Sequence, residues 1–175
     1  LALVEVENPQ LVKQLRDQGL AACKYKVTIA EAKSNDPRGI RVAFLSRLPL
    51  LSHPTLLVPY PGSRSTIEAH FSLGGRPLVI FANHWKSRRV MGGGNDNGEN
   101  KRRAAAKAVF NRIQVLREEN PDLEFIVAGD LNDFEFSNPV SVLEGAGLST
   151  LIEVLPAQER YTYNFQGNSQ TLDHI

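Results

Sequence analysis

Three places in this 175-residue chain put oxygen- or nitrogen-bearing side chains directly after apolar runs. Glu5 closes Leu1-Ala2-Leu3-Val4, Asn83 and His84 close Leu78-Val79-Ile80-Phe81-Ala82, and Asp130-Leu131-Asn132-Asp133 follows Phe125-Ile126-Val127-Ala128-Gly129. Glu, Asp and Asn are hard oxygen donors suited to Mg²⁺, Mn²⁺ or Ca²⁺. An ion held by so few carboxylates keeps positions open for water and a phosphate oxygen. Strand ends in a helix-covered sheet are common sites, because a rigid core fixes side chains that face solvent. Each group also has a plain structural reading. Asp130 and Asn132 suit a turn after a strand, and a lone His after a buried strand is more often structural than catalytic. His53, in a Pro-rich loop, and His70, on a polar strand face, take that structural reading. Asn83 and Trp85-Lys86-Ser87 around it lift His84 above it.

The elements that must position these groups follow from periodicity and breakers. Residues 1–6 read as a buried strand. Glu7-Asn8-Pro9 starts a helix that runs to about Gln18 and stops at Gly19. Asp36-Pro37-Arg38-Gly39 is a turn before the apolar strand 40–46, and the Pro-rich stretch 49–65 reads as loop. Ile67, Ala69, Phe71 and Leu73 alternate with Glu68, His70 and Ser72, a half-buried strand. Gly74-Gly75-Arg76 then turns the chain into the central strand 78–82, a hairpin. A helix is expected over 100–119, with Ala105, Ala108, Val109, Ile113 and Leu116 on one face and Pro121 closing it. A strand at 123–128, a short helix at 138–145 and strands at 161–165 and 170–175 complete the set. Hairpins and helix-linked strands together predict a mixed, helix-covered sheet. Gly92-Gly93-Gly94-Asn95-Asp96-Asn97-Gly98 lacks the Lys-Ser/Thr ending of a phosphate-binding loop and reads as a flexible connection.

Composition narrows the classes. Hydrophobic residues are 42% and charged residues 22%, which argues against a disordered chain. No apolar run approaches the ~18 residues of a membrane-spanning helix. One cysteine, Cys23, excludes an internal disulfide framework and a Cys-rich zinc site, and it reads as a packing residue. The net charge of +1 is an average over unlike parts. From Lys86 to Lys107, seven Lys/Arg face Asp96 and Glu99, a balance of +5; the remaining 13 basic and 17 acidic residues give −4. Lys101, Arg102 and Arg103 open the long helix, where positive charge opposes the helix dipole. A bound anion would compensate; a solvated helix face is the competing reading for Arg102 and Arg103.

Val4-Glu5-Val6-Glu7-Asn8, Arg38-Gly39-Ile40, Phe44-Leu45-Ser46-Arg47, Asn83-His84-Trp85-Lys86-Ser87, Gly129-Asp130-Leu131-Asn132-Asp133, and Tyr161-Thr162-Tyr163 with Leu172-Asp173-His174 occur in that order. Together they resemble the endonuclease/exonuclease/phosphatase superfamily, particularly its bacterial extracellular nuclease-like members. The resemblance implies an α/β, four-layer sandwich: two mixed sheets packed face to face with helices outside, as in DNase I. It treats residues 1–175 as one such domain, truncated at both ends. The implied activity is metal-dependent hydrolysis of a phosphodiester in DNA or RNA, by in-line attack of water, with Mg²⁺ as cofactor (Mn²⁺ and Ca²⁺ as alternatives). The same chemistry on an inositol phosphate or sphingolipid headgroup, and a non-catalytic binding module, are the alternatives.

Carried over residue by residue, Glu5 is the metal carboxylate, preferred over Glu7. His84 hydrogen-bonds or protonates a phosphate oxygen, and Asp130 and Asn132 serve the nucleophile and position the phosphate. Asn83, Lys86 and, by a looser alignment, Arg64 contact substrate. Asp173 orients a catalytic His that would lie beyond Ile175, and His174 is a bystander. Without that His, residues 1–175 alone are expected to have little activity. Secretion or a periplasmic location is implied by the closest-looking relatives.

Overall fold

The computed structural model describes residues 1–89 and 97–175. The flexible connection expected over 92–98 lies mostly outside them. The first sheet contains β1 (Ala2–Val6), β2 (Val27–Ala30) and β3 (Arg41–Ser46), in the order β1-β3-β2 and antiparallel throughout. α1 (Pro9–Gln14) crosses its outer face. Asn8 starts this helix as its position before Pro9 suggests: its Oδ1 accepts from the Leu11 N–H at 2.9 Å. The helix gives way to a wider π-type turn at Leu15–Gly19, closed by the Leu20 N–H on the Leu15 carbonyl. β1 is half-buried rather than buried, because as an edge strand it has only β3 beside it. Cys23 is exposed in a short 3₁₀ turn, so it is not a packing residue.

The second sheet has the order β10-β7-β6-β5-β4, with β4 (Thr55–Leu57), β5 (Thr66–Leu73), β6 (Arg76–His84), β7 (Glu124–Asp130) and β10 (Asp173–His174). Its mixed character resides in β6 and β7, which run parallel and are joined through α2 (Glu99–Glu119); its other pairings are antiparallel. β5 and β6 form the expected hairpin, Leu73 opposite Arg76, with Gly74 and Gly75 both at positive φ. The 49–65 stretch is not all loop, since β4 pairs with the outer edge of β5. The 170–175 segment divides: Gln170 ends β9 (Asn168–Gln170), which forms a separate hairpin with β8 (Tyr163–Phe165).

Alternation along the strands divides the core into layers. Ile29, Val42 and Phe44 of the first sheet meet Ile67, Ala69, Phe71 and Ala82 of the second, with Phe44 edge-on to Phe71 at 6.1 Å. Val79, Phe81 and Val127 face the other way, against Val109, Ile113 and Leu116 of α2 and Val140 and Leu143 of α3 (Asn138–Glu144). Helix, sheet, sheet and helices therefore stack as four layers. This covering corrects one expectation: the polar face of β5 does not meet solvent. Glu68 is buried there, held by Arg112 of α2 at 2.7 Å and by His70 at 2.7 Å. Among the described residues no helix is long and apolar enough to cross a membrane.

In the parallel pair of β6 and β7, Gly129 lies opposite Asn83. Gly129 has φ of +129°, and a Cβ there would fall inside the Asn83 carbonyl. The atoms it would meet are all Asn83 backbone, which leaves no flexible side chain to yield. Gly129→Ala is expected to destabilise the fold by about 2–4 kcal/mol, read as a lower urea midpoint at unchanged slope.

Candidate active site

The parallel register of β6 and β7 sets His84 beside Asp130, and the antiparallel register of β7 and β10 sets Asp173 on the other side of Asp130. These residues thus form a row across three neighbouring strand ends. His84 shares the face of Ala82, towards the first sheet; Asn83 takes the opposite face, beneath the helices. The His84 ring is buried, with Nε2 3.5 Å from Asp130 Oδ2 and Nδ1 without a partner among the described residues.

Burial and the nearby positive charges of Arg64 and Arg38 drive the His84 imidazole down to about 3, so it is neutral at physiological pH. Burial pushes Asp130 the other way, up to about 6, and the Asp173 and Glu5 charges add to it against the Asn132 hydrogen bond and Arg64. Two neighbouring groups are thus both biased towards their uncharged forms, and their protons belong to the pair. Asp130 is the group whose charge changes near neutrality.

Asn132 positions that carboxylate. Its backbone N–H donates to Asp130 Oδ1 at 2.9 Å and its Nδ2 to Oδ2 at 2.8 Å, with a further bond from Nδ2 to the Trp85 carbonyl at 3.2 Å. Asn132 reaches this geometry at φ of +52°, a conformation that Asn tolerates better than most residues. Glu5 is also in the left-handed region, at φ of +57°, in the bulge where β1 slips register against β3. Its side chain is 59% exposed, 3.6 Å from Arg38.

The substrate contacts expected of Asn83, Arg64 and Lys86 are placed differently from one another. Asn83 is fully buried: its Oδ1 accepts from Thr66 Oγ1 at 2.7 Å and Trp85 Nε1 at 3.1 Å. It locks β5 and Trp85 to the end of β6, with its carboxamide engaged inside the protein. Arg64 donates to the carbonyls of His84, at 2.7 Å, and Trp85, and to Asp36 Oδ2 at 2.8 Å. Its guanidinium borders the site while bracing it. The Lys86 ammonium turns onto Ser87, 3.1 Å from its carbonyl. Asp173 is exposed at the end of the row, its N–H donating to Thr162 Oγ1 at 3.0 Å. His174 is buried, Nε2 2.8 Å from the Asp133 carbonyl.

Two carboxylates outside the expected set hold this arrangement. Asp36 lies between Arg38, at 3.2 Å, and Arg64. Burial pushes it up, but hydrogen bonds from both arginines outweigh that and hold it below the usual carboxylate range. Asp133 is buried against Arg102 at 2.7 Å and lies 3.4 Å from Arg88. Arg102 is therefore neither a solvated helix residue nor a substrate contact: it folds inward and also donates to the carbonyls of Lys86 and Asn97. The turn around Asp36 is visible in sequence, but its partner lies 28 residues away.

A metal ion would have a sparse donor set. Among the described residues no group of three His, Cys, Asp or Glu side chains is placed to hold one. The exposed Glu5 carboxylate, and the acidic crowding that raises Asp130, fit a hard cation bound through one or two carboxylates, as Mg²⁺ tolerates.

A model of the Endonuclease/Exonuclease/phosphatase family matches residues 1–175, and the chain belongs to this family. Members of it are phosphoesterase hydrolases. The fold is that of humanized D. rerio TDP2, at a TM-score of 0.70 and 20% identity over 99% of this chain and 67% of that one. It is likewise that of the human Nocturnin catalytic domain with bound sulfate, at 0.67 and 18%, over 99% and 67%. TDP2 of D. rerio complexed with single-strand DNA product matches at 0.65 and 19%, over 99% and 68%. No match was found among curated proteins.

Carboxyl-detected NMR of Asp130 tests the charge arrangement. A midpoint near pH 6 is expected without metal, because burial first and then the charges of Asp173 and Glu5 favour the proton. Millimolar Mg²⁺ is expected to lower it, since a cation at Glu5 offsets that charge. A midpoint that Mg²⁺ leaves in place would contradict Glu5 as the ion's carboxylate.

Proposed function

We propose that this protein is a divalent-metal-dependent phosphodiester hydrolase acting on DNA or RNA. The observation that carries the reading is the row Asp173–Asp130–His84, in which one carboxylate titrates near neutrality beside a buried neutral imidazole. A carboxylate with that property is suited to take a proton from water as its oxygen bonds to phosphorus and the opposite P–O bond breaks. Asn132 keeps both Asp130 oxygens oriented for the transfer. The neutral His84 offers one N–H to a phosphate oxygen, in a site where Arg38 and Arg64 supply the positive field. A divalent cation at Glu5, Mg²⁺ or else Mn²⁺ or Ca²⁺, would add Lewis-acid charge on the phosphate. Asp173 acts through its charge on Asp130.

Nucleic acid is favoured over a small phosphoester on two grounds. The basic side chains of Lys86, Arg88 and Arg89 lie within five residues of His84 along the chain, and Arg88 reaches Asp133 of the loop that carries Asn132. A structural neighbour is bound to single-strand DNA product. Phosphate contacts of this kind make binding fall steeply with salt.

Turnover of a labelled oligonucleotide by the full-length protein tests this. His84→Ala is expected to lower kcat about 10²–10⁴-fold. In the unsubstituted protein kcat/KM is expected to rise as pH increases through about 6, the charged form of Asp130 being the active one. Turnover by His84→Ala equal to the unsubstituted chain would remove the hydrolase reading.

A further inference from the structure

Immediately past Asn132 the chain presents two stacked rings. Phe134 and Phe136 lie 5.3 Å apart between centroids, with 26° between their planes. Phe134 is half-buried, whereas Phe136 is 77% exposed. The Arg88 guanidinium sits 4.0 Å from the Phe134 centroid, in cation–π range. It is anchored from below by Asp133, which the buried Arg102 holds in turn.

The segment is also rigidly tied. The Phe134 N–H donates to Asp133 Oδ1 at 3.1 Å, and the Ser137 N–H to the Phe134 carbonyl at 3.0 Å. Ser137 then caps α3. An exposed ring on a pinned loop loses little conformational freedom when a ligand stacks on it.

Charge and chemistry select the occupant. Glu135 between the rings is the loop's own acid; Arg88 and Arg89 on the facing segment are cationic. An aromatic pair edged by guanidinium is the combination by which proteins hold unpaired bases, the rings taking the π-face and the cations the phosphate. We propose that Phe136, stacked on the Phe134 ring that Arg88 also contacts, is a platform for an unpaired nucleobase of the strand whose phosphate lies at His84 and Asp130. The inference rests on the nuclease reading above and deepens it: the substrate class is single-stranded nucleic acid or a frayed end. A base inside a duplex is already stacked between its neighbours and has to be unstacked before it can offer a face to the ring.

The test uses the full-length protein and three fluorescent ten-nucleotide probes: oligothymidylate, oligodeoxyadenylate and an abasic strand of equal charge. Affinity and cleavage are measured for the unsubstituted protein, Phe136→Ala and Phe136→Tyr, with circular dichroism to verify folding. Phe136→Ala is expected to weaken binding of both base-bearing strands roughly five- to a hundredfold, leaving the salt dependence unchanged. Phe136→Tyr is expected to restore it, and the abasic strand to bind weakly to all three proteins. Arg88→Ala is expected to reduce the salt slope by about one. Unsubstituted protein that cleaves oligothymidylate and the abasic strand alike, or Phe136→Ala that binds as tightly as the unsubstituted chain, overturns the platform alone. Protein that hydrolyses bis(p-nitrophenyl) phosphate but no oligonucleotide overturns the nucleic-acid reading with it.

Discussion

The site depends on one buried ion pair, Asp36 with Arg64. Asp36 belongs to the turn before β3, in the first sheet; Arg64 precedes β5, in the second. Their contact at 2.8 Å, with both side chains about nine-tenths buried, ties the two sheets where the strand ends emerge. Arg64 spends its remaining donors on the carbonyls of His84 and Trp85, so the direction of the chain leaving β6 is set by a group that reports the position of the other sheet. The same charge also helps keep His84 neutral. Losing one member would strand the other in a poorly solvated place, a change that typically costs about 3–5 kcal/mol.

Charge continues outward from this pair in alternation. Glu5 faces Arg38, Arg38 faces Asp36, and Asp36 faces Arg64. On the far side, Asp133 joins Arg88 of the segment after β6 to Arg102 of α2. Asp130 sits between these two systems and takes a direct bond from neither. Asn132 holds both of its carboxylate oxygens, and burial, with the charges of Asp173 and Glu5, lets it retain a proton up to about pH 6 against that hydrogen bond and Arg64. Two of the four non-glycine residues at positive φ among the described residues, Glu5 and Asn132, are ones that the proposed chemistry uses; Lys24 and Gln166 are the others.

What the sequence made legible was local. The Gly74-Gly75 hairpin, the Asn8 cap, the long helix and the strand ends bearing His84 and Asp130 all follow from spacings of a few residues. The misread features depend on distant partners. Glu68 looked solvent-facing because its strand alternates, yet α2 covers that face and Arg112 arrives from 44 residues away. Arg102 looked like one of three surface cations, but its partner Asp133 lies 31 residues on. Periodicity shows which residues share a face; it does not show what packs upon that face.

A double-mutant cycle in turnover tests most directly whether the Asp36–Arg64 pair holds His84 and Asp130 in working order. The rates to compare are those of the unsubstituted full-length protein, Asp36→Asn, Arg64→Gln and the double variant, on one phosphodiester at saturating Mg²⁺. The account predicts that each single change lowers kcat at least about tenfold and that the double variant is no slower than Arg64→Gln alone, because the residues act as one unit. Losses that multiply in the double variant, or single variants with undiminished kcat, would contradict it.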